Sequence, residues 1–465
     1  MSRRSKSNRS HSDRVKKRIA GHLEKINLFA AGIDIGSESH FVAVPEELDE
    51  QPVRSFGCFT ADLEAMADWL AKLGITTVVM ESTGIYWIPA FEILESRGLD
   101  VKLVNARHVK NVAGRKSDVL DCQWLLQLHT YGLLDGAFRP DEQVCSLRSY
   151  RRQRDTLVGY RASHIQHMQK ALRQMNLLLD NVVTDITGKT GMTVIRAILN
   201  GQRNPVELAK YRDKHCKKSE EEIAKSLKGH YRDEHVFALR QAVELYDTYD
   251  EKIRACDKAL EQKLNTFDSK DEKDFLKPST PDKPSKKRKS RCAPDFDVRS
   301  ELNRVGGVDL TDIDGIDENT ALKIVSEIGL DMSRWPSAKH FASWLGLCPG
   351  TKISGGKVLN RKTKRLPGAA ATAFRLAAYA LANSKSALGA YYRRMRSKLG
   401  APKAITATAH KLARLVYSML KHGSRYIDEG QEYFEQRYRK RVLKTLKQKA
   451  KDMGFTLTPV ETAVG

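Results

Sequence analysis

Asp34 is the residue around which a candidate active site can be built. It interrupts the apolar stretch 31–37, of sequence AGIDIGS. A carboxylate inside an otherwise buried strand is costly to desolvate unless a cation or hydrogen bonds compensate its charge. A bound metal ion is one explanation, and turn amides at the end of the strand are the other. Three acids further along the chain favour the metal.

Glu81 ends the β-branched stretch 76–82, and Asp118 and Asp121 begin a predicted helix. A spacing of three residues puts Asp118 and Asp121 side by side on the first helical turn. Ordinary capping of the helix dipole would explain this pair taken alone. Four carboxylates at one sheet edge, however, repel one another, and divalent cations relieve that repulsion. Two such ions about 4 Å apart can activate a nucleophile and hold a leaving oxygen on a phosphodiester.

A serine near residue 350 is the second candidate. Ser354 stands in the stretch 346–357, of sequence GLCPGTKISGGK, and two glycines that permit close backbone approach come directly after it. Lys352 and Lys357 flank the serine, where they would hold a phosphate beside its hydroxyl. A flexible surface loop is the alternative interpretation of Ser-Gly-Gly.

The charge distribution indicates a polyanionic partner. The chain has 80 Lys and Arg against 57 Asp and Glu, a net charge of +23, and residues 351–427 contain 17 Lys or Arg and no acid. A solvated surface alone does not account for such a segment. Besides the two lysines around Ser354, the expected nucleic-acid contacts are Arg361, Lys362, Lys364 and Arg365.

The hydrophobic pattern predicts the elements that would position these residues. Strands are predicted at Leu28–Ile35, Phe41–Val44 and Val53–Phe59, and a helix capped by Thr60 comes next at Ala61–Leu73. Strands and helices alternate after that, and Ser117 is the predicted N-cap of the helix that carries Asp118 and Asp121. Three hairpin strands and then alternating helices and strands is the order that an RNase-H-like α/β sheet requires.

The rest of the chain is predicted to be mostly helical. Segment 309–329 resembles a helix-hairpin-helix with its turn at Gly315, a motif whose amides bind phosphates, although a plain helical connection is equally compatible. The predicted domains are a disordered basic arm (1–26), the α/β domain (27–141), a helical hairpin or coiled-coil arm (142–267), a basic linker (268–298), a mostly α-helical domain with the serine loop (299–427) and a charged helical tail (428–465).

Several protein classes are excluded. No apolar run reaches the roughly 18 residues that span a bilayer, and the basic N-terminus lacks the apolar core of a signal peptide. The seven cysteines are odd in number and form no C-x-x-C pair, which argues against a disulfide framework or a zinc site. A soluble cytoplasmic protein is expected.

In combination, these residues resemble the DEDD-type insertion-sequence transposases of the IS110 family, which includes the Piv-type DNA invertases. The resemblance covers about residues 27–423. It implies an N-terminal domain similar to the Holliday-junction resolvase RuvC, with Asp34, Glu81, Asp118 and Asp121 as its acidic tetrad. It also implies a C-terminal transposase domain with Ser354, in a Ser-Gly-Gly loop after Pro349, as nucleophile. Many relatives carry a second hydroxyl residue beside the serine, where this chain has Ile353.

The resemblance leads us to expect a bacterial, nucleoid-associated recombinase. The tetrad would bind Mg²⁺, two ions per site, and Ser354 would form a covalent phosphoserine link to DNA. The resemblance alone implies a guide RNA encoded by the element, and a homo-oligomer, dimer or tetramer, is expected. Two alternatives stay open: a RuvC-like endonuclease that uses metal-activated water, and a nucleic-acid-binding protein whose acids do not catalyse.

Overall fold

The computed structural model describes residues 24–82, 84–104, 118–134, 136–270, 292–360, 362–363, 368–423, 426 and 428–458. The chain divides after Arg139 into two compact units. No helix in these ranges is both long and apolar enough to cross a membrane.

The first unit is built on a five-stranded mixed sheet in the order β3-β2-β1-β4-β5. Its strands are β1 (Ala30–Ile35), β2 (Ser39–Ala43), β3 (Val53–Gly57), β4 (Thr77–Glu81) and β5 (Asp100–Val104). β2 runs antiparallel to β1 and β3, whereas β4 runs parallel to β1 and β5. The predicted hairpin strands and the alternating pattern after them are therefore confirmed, with strand ends that differ by one or two residues.

Helices cover both faces of this sheet, namely α1 (Thr60–Lys72), α2 (Trp87–Ser96) and α3 (Asp118–Thr130). Alternate residues of a strand point to opposite faces, so Val78 and Met80 of β4 pack in the core under α1 and α2. Val79, between them, packs against Leu125 of α3 on the other face. Since both faces of β1 and β4 are buried, these two strands are apolar almost throughout, and an acid within them is conspicuous.

The start of α1 differs from the prediction. Thr60 is the first residue of the helix, and Phe59 is the N-cap. The expected threonine cap is wrong because Asp62, in the first turn, accepts a hydrogen bond from the Phe59 amide at 3.2 Å. A carboxylate at the third position of a helix can accept a hydrogen bond from the backbone amide of the N-cap residue. A hydroxyl on the N-cap side chain bonds to a different amide, so the N-cap amide would then bond to water. The predicted cap of α3, Ser117, lies outside the described residues.

The second unit begins with a long helical hairpin, α4 (Glu142–Gln174) and α9 (Asp233–Asn265). Arg154 of α4 pairs with Asp257 of α9. Arg161, seven residues further along α4, pairs with Asp250, which is seven residues before Asp257. The two helices are therefore antiparallel. Four shorter helices between them share an apolar core with the adjoining ends of α4 and α9, and they are α5 (Leu179–Val182), α6 (Lys189–Leu199), α7 (Pro205–Ala209) and α8 (Glu220–Ser226).

The remainder of the second unit is a helical domain that also carries a small β-hairpin. Its elements are α10 (Val298–Gly306), α11 (Glu318–Ile328), α12 (Ala338–Trp344), β6 (Lys352–Ser354), β7 (Lys357–Asn360), α13 (Ala369–Ala380), α14 (Ala387–Leu399), α15 (Ala401–His422) and α16 (Gly430–Asp452). The helix predicted after Gly315 is present, and it ends at Gly329 as expected. A Cβ at Gly315 would lie 2.6 Å from the Ala377 carbonyl oxygen, so that side of the turn is covered by α13.

A buried ion cluster joins this domain to the base of the helical hairpin. Glu327 of α11 accepts hydrogen bonds from Arg151 at 2.6 Å and from Arg152 at 2.8 and 2.9 Å. Burial alone would raise the pKa of Glu327, but the hydrogen bond and charge of Arg152, with the charges of Arg148 and Arg151, hold it below its usual value. Removing one partner of such a cluster leaves an uncompensated buried charge, so the cluster fixes α11 against α4.

Gly32 lets α3 lie directly on β1. A Cβ at this position would be 2.4 Å from the Leu126 nitrogen and 2.5 Å from the Cys122 oxygen, both backbone atoms of α3. Backbone cannot move aside as a flexible side chain can, so any other residue would push the helix off the sheet.

We predict that Gly32→Ala lowers the free energy of unfolding of the first unit by about 1 to 3 kcal/mol, the usual range for overpacking. Chemical denaturation of the full chain measures this. Gly136→Ala is the matched control, because nothing lies within 4 Å of a Cβ built at Gly136. Unfolding of Gly32→Ala at the wild-type denaturant concentration would contradict the contact.

The stability of the first unit should also fall with acid because of His129. Its Nε2 lies 3.0 Å from the Thr77 hydroxyl, and burial, together with the charge of Lys102, lowers the pKa of His129 to about 4. The unfolded chain takes up this proton near pH 6.5 and the folded chain does not, so stability is complete above pH 6.5 and is lost towards pH 4.

His129→Gln should flatten that part of the pH profile, and His230→Gln, at an exposed position, should leave it unchanged. Denaturation midpoints measured between pH 4 and pH 7 test the prediction. The same slope in all three proteins would show that His129 is not the titrating group.

A candidate acidic active site

Asp34 and Glu81 lie side by side at one edge of the sheet. In the parallel pair of β1 and β4, Ile33 is opposite Met80, so Asp34 and Glu81 come next along their strands. Strand alternation puts both on the face that α3 covers, with Gly32 and Val79. Each is only partly buried, as expected at the carboxyl ends of strands.

The direction of α3 brings its acidic first turn to the same edge. His129, near its end, contacts Thr77 at the start of β4, and Leu125 packs on Val79 in the middle of that strand. The helix therefore runs antiparallel to β1 and β4, and its N-terminus lies at the carboxyl edge of the sheet. Asp121 is half-buried there. Asp118 is the first residue of the helix, and its side chain lies outside what the structure describes.

The Cys122 thiol reports the charge at this edge. Burial, and then the negative charges of Asp34 and Asp121, raise the pKa of Cys122 to about 12. A carboxylate on β1 and another on α3 thus act on the same sulfur atom, which is fully buried under the helix. The negative charges of the two carboxylates disfavour ionisation of this thiol.

The donors suit a hard divalent cation, for which carboxylate oxygens are the usual protein ligands. Within the described part of the chain, no three His, Cys, Asp or Glu side chains are close enough together to ligate one ion. The chemistry of the donors fits the predicted metal, but the described acids do not by themselves form a set of ligands. The fourth predicted ligand, Asp118, stands on the same helical turn as Asp121, and its side chain lies outside what the structure describes.

Ser354 stands on a β-hairpin instead of a loop. It is the last residue of β6, paired with Lys357 of β7 across the turn Gly355-Gly356. Both glycines have positive φ, +54° and +74°, the backbone that a two-residue hairpin turn requires and that glycine adopts at least cost. The sequence predicts that these glycines permit close approach, whereas the structure uses them to close the turn.

The described residues of the hairpin are solvent-exposed, and so are two of the six predicted nucleic-acid contacts. Ser354, Lys357 and Lys362 are exposed. Lys352 belongs to β6, but its side chain is outside what the structure describes. Arg361, Lys364 and Arg365 also lie outside the described residues.

A second cationic surface in the acid-free segment is not among the predicted contacts. Lys411, Arg414 and Lys421 line a groove between α15 and residues 336–338, together with the hydroxyls of Ser337 and Ser418. The signal is present in the sequence, because cations that recur at intervals of three, four or seven residues occupy one side of a helix. This groove is a second place in the acid-free segment where cationic side chains lie together.

Comparisons with known proteins match both units. Residues 31–177 match a family profile described as a transposase, of the DEDD type found in IS110 elements, and residues 309–393 match the transposase IS116/IS110/IS902 family. Asp34, Glu81, Asp118 and Asp121 all fall in the first matched segment, and Ser354 falls in the second.

A curated relative supports the same assignment. An uncharacterised 43.6 kDa protein of the insertion element IS110 from Streptomyces coelicolor is 33% identical over 129 residues. That stretch spans 25% of this chain and 29% of the relative. Two profiles of one transposase family, in the expected order along the chain, and a relative from an IS110 element agree: the chain belongs to the IS110 family of DEDD transposases.

Proposed function

We propose that this protein is a DNA transposase that cuts and rejoins strands at the acidic edge of its N-terminal sheet. The gathering of Asp34, Glu81 and Asp121 on one face, within a segment that matches a transposase family, carries the proposal. An RNase-H-like, RuvC-like domain is the fold proposed for the first unit, and the strand order supports it. A net charge of +23 suits a polyanionic substrate.

Asp34, Glu81, Asp118 and Asp121 would hold Mg²⁺, two ions per site. When bound, the ions would polarise the scissile phosphate and neutralise charge that develops on it. The contribution of the chain is to hold four carboxylates on rigid elements at a spacing that their mutual repulsion opposes. This arrangement binds cations at the place where a phosphodiester must be presented.

Ser354 would be the nucleophile. Its oxygen would bond to phosphorus while the bond from phosphorus to one deoxyribose oxygen breaks. The serine proton is released and the departing oxygen takes up a proton, so the phosphodiester is exchanged and no nucleotide is hydrolysed. The exposure of Ser354 beside Lys357 supports this role, since a strand can reach the hydroxyl. The hairpin itself supplies no base, so the proton must pass to a group elsewhere in the assembled complex.

Target choice would depend on a guide RNA encoded by the element, bound by a homo-oligomer of this chain, a dimer or tetramer, in the bacterial cytoplasm. Family membership and the acid-free segment 351–427, which would bind RNA and DNA backbones alike, support this part of the proposal.

Divalent cations should stabilise the first unit through its acids. A ligand at one hundred times its dissociation constant stabilises the folded state by about 2.7 kcal/mol, so the melting temperature should rise with Mg²⁺ or Mn²⁺. Asp34→Asn and Asp121→Asn should reduce this rise, and they should raise metal-free stability because like-charge repulsion is relieved. Asp68→Asn, an exposed acid on α1, is the control. If the melting temperature rises by the same amount in all variants, the metal does not bind at these residues.

Covalent chemistry at Ser354 is tested in cells that carry the gene with its flanking DNA. Wild-type protein purified under denaturing conditions should retain DNA, whereas Ser354→Ala should retain none and still bind nucleic acid. Asp121→Asn should also lose the adduct although its nucleophile is intact, and Ser397→Ala, at another exposed serine, should keep it.

Each negative outcome has a separate meaning. An adduct that persists in Ser354→Ala would rule out this nucleophile, and Mg²⁺-dependent nicking without any adduct would indicate the water-using endonuclease. If the wild type shows neither nicking nor an adduct, the remaining alternative is a protein that binds nucleic acid without cutting it. RNA recovered from native purifications of the same cells tests the guide, which is rejected if no element-derived RNA is enriched.

A further inference from the structure

Phe59, Ile85 and Tyr86 are among the large apolar side chains exposed at the edge of the sheet that carries the acids. Phe59 is 83% exposed, Ile85 72% and Tyr86 49%. β3 is antiparallel to β2, which is antiparallel to β1, so β3 ends at the same edge as β1 and β4. Phe59 comes just after the end of β3, and Ile85 and Tyr86 come just after the end of β4. Apolar side chains that are exposed to water at this position would gain favourable contact if a ligand covered them.

Tyr86 is held close to the end of β4 by the turn after Glu81. Gly84 has a φ of +56°, and a Cβ built there would touch the Tyr86 ring at 3.5 Å. The ring thus lies over the turn, five residues after Glu81 and just before α2. A glycine at this left-handed position lets the chain reverse without strain and keeps space beside the ring.

Phe59 is held on the other side of Asp34. The Cys58 thiol lies 3.9 Å from the Gly36 carbonyl oxygen and 3.7 Å from the His40 ring, which ties the end of β3 to the turn after β1. The Phe59 backbone amide is used by Asp62, while its side chain projects from the start of α1 into solvent. Neighbouring strands are about 4.8 Å apart, so β3 and β4, with β2 and β1 between them, lie about 14 Å apart.

We propose that Phe59 and Tyr86 stack on unpaired nucleobases of the DNA strand, on the two sides of the phosphodiester that the acids receive. The inference rests on the proposed function. Stacking on aromatic rings requires bases that are not stacked in a duplex, and it tolerates any sequence because every base has a π-face. A span of about 14 Å corresponds to a few nucleotides of extended strand, enough to straddle one phosphate.

The position of the rings favours a nucleic acid over a protein as their ligand. A protein docked across Phe59 and Tyr86 would cover the edge between them and exclude the strand on which the acids act. A single strand stacked on both rings would instead be drawn over that edge. The two rings are therefore positioning residues, and they act on binding and register instead of on the reacting atoms.

The test uses the full chain, without divalent cations, and a thymidine oligonucleotide that contains one 2-aminopurine, single-stranded or annealed to its complement. Alanine at a stacking ring weakens binding by about 1 to 3 kcal/mol, so Phe59→Ala and Tyr86→Ala should each reduce single-strand affinity about 5- to 150-fold. Duplex affinity should change little, and quenching of 2-aminopurine in the complex should decrease.

Ring-preserving variants separate stacking from loss of fold. Tyr86→Phe and Phe59→Trp should retain affinity and quenching, whereas Tyr86→Leu, which is apolar without a ring, should not. Phe237→Ala removes a ring that is 61% exposed on α9 and should behave as the wild type. The proposal would be overturned if both alanine variants bound the single strand as tightly as the wild type. It would also be overturned if the alanine variants changed their oligomeric state while the quenching of 2-aminopurine stayed the same.

The outcome is distinguishable from failure of the proposed function. If the wild type forms the DNA adduct in cells while both alanine variants stack bases normally, only the role of the rings is rejected. If the wild type neither nicks DNA nor forms an adduct, the transposase chemistry is rejected, and the positioning role of the rings is rejected with it.

Discussion

The contact between α3 and β1 at Gly32 is the constraint on which the candidate site depends. Two backbone atoms of the helix occupy the space that a side chain would need, so the helix axis is fixed by main chain against main chain. Its N-terminus reaches the carboxyl edge of the sheet, where Asp34 and Glu81 stand at neighbouring positions. The separation of the acids is thus set by rigid elements, which is the support that a site with converging ligands needs.

Buried and half-buried acids of this chain have two different electrostatic surroundings. Glu327 is surrounded by three arginines, and the pKa of its carboxyl group falls despite burial. At the edge of the sheet, burial and then the charges of Asp34 and Asp121 raise the pKa of the Cys122 thiol. The first arrangement satisfies a buried charge with arginines and serves structure, whereas the second brings carboxylates of two elements near one sulfur atom, at the edge where we propose that a cation binds.

The sequence is sufficient where local pattern determines structure. Short apolar and β-branched runs locate the five strands, and the acids at 34 and 81 are conspicuous because β1 and β4 are buried on both faces. The cap of α1 is not predicted correctly because the helix begins one residue earlier, at Thr60, where Asp62 accepts a hydrogen bond from the amide of the N-cap residue Phe59. The side of the Gly315 turn that faces Ala377, and the exposure of Phe59, could not be predicted, since both depend on which distant segments pack nearby.

The hairpin that carries Ser354 shows how an exposed residue, proposed here as the nucleophile, can also be well ordered. An isolated two-stranded hairpin is marginally stable in water, and β6 and β7 have no third strand in the described chain. Their ladder continues towards the helical domain, where the Gly350 amide donates to the Lys362 carbonyl oxygen at 3.0 Å and Pro349 bridges to Thr363. Turn geometry at one end and this continued pairing at the other fix the register of Ser354, while its hydroxyl stays accessible to an incoming strand.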